Sequence, residues 1–299
     1  IALLFSTPGQ HPSAASESHQ DFQTSVEKIL VTSGLSGSTT ALIIKKQGAS
    51  TNLFSYNPDL LLVPASTIKM FTTALALDVL GPDYRFKTEL RGNRNNMSNQ
   101  VQGDLCVKGN GDPWLIPERL WYLTQRLKAT GVREITGNLT IDDSYFSGSP
   151  DAKGLTQDDS SSAYMAPAGA VSVGFNVIQI HIRPNPEPNK PAIIYTEPAS
   201  DHLIVEGAIN TTASQVSRYE AEVVAQQDKS VLKLSGNISI NDKPRRVWRR
   251  ITGPSQHAGS VFSKLLQETG INLSGKVNTG LCPDELPVIA DSESPRLAD

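Results

Sequence analysis

The chain has 299 residues, 38% of them hydrophobic and 19% charged, with a formal net charge of −3, which is enough material for a large core and points to two domains rather than one. That balance reads as one without a basic stripe among aromatic residues, so a nucleic-acid partner is not expected. Two cysteines are too few for a disulfide framework, and the five histidines show no H-x-H or H-x-x-x-H spacing, so neither a metal site nor a Ser-His-Asp triad is supported.

The opening IALLF, followed by STPGQHPSAAS, reads as the tail of a secretory signal and a linker over residues 1–20. Export to the periplasm or cell envelope is therefore expected. DFQTSVEKIL spaces Phe22, Val26, Ile29 and Leu30 at helical intervals and predicts a short surface helix carrying Lys28. Thr39–Tyr56 predicts two strands joined around Gly48. Next comes VPASTIKMFTTALALDVLGP, a helix-length run that stops at Gly81-Pro82. Only Lys69 and Asp78 are charged in it, so the helix is expected to be buried nearly all round.

Within that run Ser66 stands three residues before Lys69, on the same helical face. A desolvated lysine tends to lose its proton and can then accept one from a serine hydroxyl, while the helix N-terminus offers N–H groups to an oxyanion. The competing reading is a serine N-cap and a lysine paired with a buried carboxylate. The bare Ser-x-x-Lys pattern recurs as Ser25-Val-Glu-Lys28 and Ser230-Val-Leu-Lys233. The latter lies in a strand-like stretch whose residues three apart face opposite ways.

After Asp83 the texture changes to strands with turn-rich links, RFKTELRGN and QGDLCVKGNGDPWL. The amphipathic PERLWYLTQRLKATG follows and is closed by Gly131. ITGNLTIDD (135–143) and LSGNISIND (234–242) are repeats, with a weaker copy in LSGKV (273–277); they read as similar turn-strand units in β-rich modules. Asp142-Asp143 and Asp158-Asp159 are adjacent pairs whose side chains diverge, and GNGDP (109–113) reads as a tight turn rather than a phosphate loop. NPEPNKP (185–191) is a surface loop, and SQHAGSVFSKLLQETG (255–270) a second amphipathic helix ending at Gly270.

VPASTIKMFTTALALDVLGPDYRFKT, GDLCVKGNGDPWL, GVREITGNLTIDDSYF, YMAPAGAVSVGFN and SPRLAD together resemble the class C low-molecular-mass penicillin-binding proteins, exported D-alanyl-D-alanine carboxypeptidases and endopeptidases of peptidoglycan. The resemblance runs from about Phe54 onward, in family order. It implies an α/β fold: a serine β-lactamase-like transpeptidase domain, incomplete here, with a large β-rich inserted domain. On that reading residues 21–87 and 247–299 belong to the transpeptidase-like part and 88–246 to the insertion. It implies Ser66 as the acylated nucleophile, Lys69 as its base, and Asp142 and Phe146 as contacts for the substrate's peptide side chain. It implies peptides ending in D-Ala-D-Ala and β-lactams as partners, and no cofactor or metal.

The family's two further elements, Ser-x-Asn and Lys-Thr-Gly, are not found at their places. Literal Ser-x-Asn at Ser50, Ser55, Ser235 and Ser239 falls before the nucleophile or inside the repeats, and KVNTG (276–280) belongs to the third repeat copy. The chain therefore reads as cut at both ends. A serine β-lactamase and a silent peptidoglycan-binding homologue stand as alternatives. Expressed alone, the chain is expected to be inactive and to be trimmed by proteases toward residues 88–246.

Overall fold

Gly48 at φ 79° and Gly81 at φ 85° both take positive-φ backbones that favour glycine, and each closes a predicted element. Gly48 lies in the turn between β1 (Leu42–Lys45) and β2 (Asn52–Tyr56), which pair antiparallel, as the two strands predicted around it require. Gly81 caps α2 (Ile68–Leu80), its N–H reaching the Leu77 carbonyl, at the predicted stop. Preceding them is α1 (His19–Thr32), the predicted surface helix. This computed structural model describes residues 19–148 and 161–299. The proposed signal remnant, apart from His19 and Gln20, and the Asp158-Asp159 pair lie outside them.

Residues 1–81 and 82–299 form separate compact units. Among the described residues of the first, Leu30 and Phe54 are the buried hydrophobic ones and β1 and β2 pair only with each other. No residue of α2 is buried, and Met70, Phe71, Leu75 and Val79 are all more than half exposed. The expectation that this helix is buried all round is therefore corrected. Its apolar composition says what the helix can bury, whereas the described residues place nothing over it.

Among its described residues the second unit has two cores. The first is built on a sheet containing β3 (Lys87–Asn95), β4 (Gln100–Gly109), β5 (Glu134–Ile135), β6 (Leu139–Asp142), β14 (Asn272–Leu273), β15 (Val277–Thr279) and β16 (Val288–Glu293). Helices α3 (Pro117–Ala129) and α4 (Pro254–Thr269) pack on it through Leu120, Leu123, Leu127, Val261, Phe262 and Leu266, all buried. Both helices open with proline in the first turn and end at glycine, Gly131 and Gly270, as their sequences signal. Two further sheets share the second core. One orders β13 (Arg245–Arg250), β7 (Val177–Arg183) and β8 (Ile193–Glu197); the other joins β9 (Leu203–Gly207), β10 (Asn210–Thr212), β11 (Arg218–Gln226) and β12 (Lys229–Ser239). Ile178, Ile180, Ile182, Ile209, Leu232 and Ile238 fill the space between them.

The sequence repeat has a spatial meaning. β14 and β15 run parallel to β5 and β6 with Leu273 beside Ile135 and Val277 beside Leu139, so LSGKV lies in register against ITGNL. On the other side Val101 pairs with Ile135 and Leu105 with Leu139, which makes VQGDLCVK (101–108) another copy, missed in the sequence. Gly103, Gly137 and Gly275 stack at the bend. The Gly137 N–H donates to the Gly103 carbonyl at 2.8 Å and the Gly275 N–H to the Gly137 carbonyl at 2.9 Å. A Cβ on Gly137 would collide with the Gly103 backbone, and one on Gly275 with the Gly137 carbonyl. Close approach of three backbones is why each copy carries glycine. The copy at 234–242 lies apart, in the second core.

Residues 247–299, grouped with 21–87 in the sequence reading, contribute β13, α4 and β14–β16 to the second unit. A fragment ending at residue 246 would lose α4 and with it Val261, Phe262 and Leu266 from the first core.

Candidate active site

Ser66 sits in a single 3-10 turn, Ala65–Thr67, that runs directly into α2. The turn is held by the Thr67 N–H, which donates to the Pro64 carbonyl at 3.1 Å, and by the Thr67 hydroxyl, which donates to the same oxygen. Ala65 occupies the left-handed region at φ 45°, which costs a residue with a Cβ about 1–2 kcal/mol. The strained residue immediately precedes the candidate nucleophile. Lys69 follows in the first turn of α2.

Both competing readings of this pair lose support. Among the described residues no side chain caps either the 3-10 turn or α2, so Ser66 is not serving as an N-cap. Among the described residues Lys69 makes no ion pair, so it is not neutralised by a buried carboxylate. Both residues are exposed, and the desolvation expected for the lysine is not provided here. The two other Ser-x-x-Lys matches behave as expected. Ser25 and Lys28 lie on α1, while in β12 Ser230 is fully buried and hydrogen-bonds to Thr252 at 2.8 Å, with Lys233 exposed.

Asp142 and Phe146 belong to the second unit. Asp142 is 2% exposed. One carboxylate oxygen accepts the Ser144 N–H at 3.0 Å and the other the Cys282 N–H at 3.0 Å. Burial alone would raise its pKa, but these hydrogen bonds and the nearby Lys108 charge outweigh it and hold the carboxyl below its ordinary value. Asp143 turns the other way: it accepts from the Ala170 and Val171 N–H groups and, at 2.9 Å, from the Ser255 hydroxyl at the start of α4. The pair therefore diverges as its sequence implies. Phe146 is half-exposed, packs edge-on against Tyr145 at 5.3 Å, and lies over Gly111, where a Cβ would meet its ring.

The GNGDP turn is structural. Asp112 is buried, accepts the Trp114 N–H at 2.8 Å and pairs with Arg119 at 2.8 Å, and Arg119 also reaches Ser292 at 3.0 Å. Two features escaped the sequence reading. Cys106 and Cys282, which gave no signal by spacing, form a disulfide with Cα atoms 5.8 Å apart. His202 and His257 face each other with ring centroids 6.3 Å apart beside a polar cavity of about 610 Å³ lined by Asp201, His202, Lys229, Gln256 and Ser260. Among the described residues no group of three His, Cys, Asp or Glu is placed to hold a metal.

The sequence profile of the D-Ala-D-Ala carboxypeptidase 3 (S13) family matches residues 22–299. A D-alanyl-D-alanine carboxypeptidase from an Actinomadura species is 27% identical over 288 residues, covering 92% of this chain and 52% of that protein. The D-alanyl-D-alanine carboxypeptidase DacB of Haemophilus influenzae is 26% identical over 263 residues, covering 88% of this chain and 55% of its own. The chain thus spans about half the length of the curated relatives it matches. In fold it is similar to the crystal structure of penicillin binding protein 4 (dacB) from Haemophilus influenzae, with a TM-score of 0.71 and 24% identity over 86% of this chain and 57% of that one. A second crystal structure of that protein, complexed with a novel beta-lactam, matches with a TM-score of 0.65 over 89% of this chain and 57% of that one.

Proposed function

This chain belongs to the D-Ala-D-Ala carboxypeptidase 3 (S13) family, and on that premise we propose that it supplies the nucleophile of a serine D-alanyl-D-alanine carboxypeptidase acting on peptidoglycan stem peptides. The observation that carries the reading is Ser66 itself, presented after a strained Ala65 at the start of α2, uncapped, with Lys69 one turn on. The Ser66 Oγ attacks the carbonyl between the two terminal D-alanines while the neutral Lys69 amine takes its proton. The C–N bond then breaks and the departing D-alanine amine takes a proton. Water cleaves the acyl ester, releasing the shortened peptide and restoring the serine. A β-lactam acylates the same oxygen by opening its ring.

Asp142 spends both oxygens on backbone N–H groups, so we assign it to holding the Ser144–Phe146 turn and leave the contact with the peptide side chain to the exposed Phe146. Residence in an oxidising compartment, the periplasm or cell envelope, is supported by the Cys106–Cys282 disulfide. Among the described residues no helix is long and apolar enough to cross a membrane.

The test is D-alanine release from a peptide ending in D-Ala-D-Ala, using the protein that carries this chain together with whatever sequence flanks it in its gene. Ser66→Ala should lower release by on the order of 10³-fold or more. Release that survives the substitution would assign the nucleophile elsewhere.

A further inference from the structure

The segment Lys243-Pro-Arg-Arg-Val-Trp-Arg-Arg250 carries five cationic residues and no acidic one, in a chain of net charge −3. The structure makes most of it β13, which among the described residues pairs with β7 and meets Ser162 through a bridge at Arg249. Alternation along β13 sorts its side chains. Val247 packs against the second core and Arg249 donates through Nε to the Ala221 carbonyl at 2.6 Å, so Arg246, Trp248 and Arg250 project from the opposite face. In β7 the same alternation buries Ile178, Ile180 and Ile182 and puts Gln179, His181 and Arg183 on the other face, where His181 is itself buried against Tyr195. The register aligns Arg246 with His181 and Tyr195, and Trp248 with Gln179 and Glu197.

The outer face of this three-stranded sheet therefore presents an indole and a phenol separated by roughly 12 Å, from the strand spacing and rise, with guanidinium groups beside them. Trp248 is 48% and Tyr195 52% exposed. Tyr195 is fixed by stacking on His181, centroids 4.1 Å apart and planes 12° apart, and His181 is fixed by Glu197 at 2.9 Å. Among the described residues Arg246 and Arg183 make no ion pair or side-chain hydrogen bond, and the Arg250 Nε is buried without an acceptor. Arg246, in register with His181 and Tyr195, and Arg183, on a face whose carboxylate, Glu197, is engaged by His181, leave positive charge open to an anionic partner.

We propose that this face binds a carboxylate-bearing polysaccharide strand, with sugar rings resting on Trp248 and Tyr195 and carboxylates taken by Arg246 and Arg183. Aromatic rings accept the apolar faces of sugars, and a guanidinium grips a carboxylate in two-pronged fashion. A polymer of sparse carboxylates fits better than one of dense phosphates, because Glu197 lies on the same face and the chain as a whole is negative. The identity of the strand as the glycan of peptidoglycan with its acidic stem peptides rests on the proposed function. The face would then hold the enzyme on its polymer while Ser66 acts on stem-peptide ends.

The experiment is co-sedimentation of the protein carrying this chain with insoluble, protein-free peptidoglycan, alongside duplex DNA and anionic phospholipid vesicles. The variants are Trp248→Ala, Arg246→Glu and their combination, with Lys233→Glu, an exposed position on β12, as the charge control. All are checked for an unchanged thermal midpoint and for penicillin attachment at Ser66. The combined variant should bind peptidoglycan at least 10-fold more weakly, the control should match the parent, and 0.5 M salt should weaken the parent. Peptidoglycan binding that is absent in the parent, unchanged in the combined variant, or equally lost in the control overturns the proposal. So does a loss confined to DNA or to vesicles. Failure of penicillin to label Ser66 with sedimentation intact would instead remove the proposed nucleophile and leave this face standing.

Discussion

Cutting the Cys106–Cys282 link should cost the second unit a large fraction of its stability. The bridge joins residues 176 apart in sequence, and closing a loop of that length removes roughly 5 kcal/mol of denatured-state entropy by the chain-entropy account. Domains of this kind are stable by only about 5–15 kcal/mol in all. The bridge ties β4 to the segment just after β15, with β6 between them, so its loss also loosens the strand stack that carries the glycine repeats. Trp114, Trp121 and Trp248 are the three tryptophans of the chain and all lie in the second unit, which makes intrinsic fluorescence a reporter of that unit alone. In urea, Cys106→Ala/Cys282→Ala should shift the midpoint down by roughly 2 M, taking a slope of about 2–3 kcal/mol per molar. Reducing agent should produce the same shift in the parent and none in the variant. A variant within about 0.3 M of the parent would refute the loop-closure reasoning.

Gly137→Ala should destabilise the second unit by about 1–3 kcal/mol through overpacking against Gly103. Gly280→Ala, whose nearest neighbour would be Thr140 Cγ2 at 3.8 Å, should leave the midpoint nearly unchanged; equal effects at the two positions would discount the stacked-backbone explanation. His257 is fully buried, and burial, then repulsion by His202, lowers its pKa from 6.5 to about 3. Between those values the unfolded chain binds a proton that the folded one refuses, so stability falls as pH drops through 6.5 toward 3, by about 2 kcal/mol at pH 5 relative to pH 8. His202, also lowered chiefly by burial, acts in the same direction. His257→Leu should flatten the stability-against-pH curve by about one proton's slope, and an unchanged curve would mean that His257 does not titrate in this way.

Local signals in the sequence found what local physics decides. Proline and glycine punctuation located α3 and α4, the Gly48 turn located the first hairpin, and Gly81-Pro82 located the end of α2. Ser66 and Lys69 could be proposed as a pair because helical spacing is a local property. The exposure of α2 was not, since composition gives a helix's appetite for burial and not the presence of a partner. Nor was the place of residues 247–299, because β16 pairs with β3 across most of the chain and no short window encodes that register. The disulfide was hidden for the same reason. The basic run at 243–250 was in plain view, but a net charge averaged over 299 residues concealed it. A windowed charge count would have exposed it. The glycine in VQGDLCVK was likewise readable as a repeat copy once its neighbours were aligned.

The account turns on Ser66 as the acylated residue, and covalent labelling of the protein carrying this chain with penicillin, followed by mass spectrometry of its peptides, tests it most directly. The adduct should fall on the peptide containing Ser66, vanish in Ser66→Ala, and persist in Ser25→Ala and Ser230→Ala. An adduct mapped to any other serine, or labelling that survives Ser66→Ala, would contradict the account.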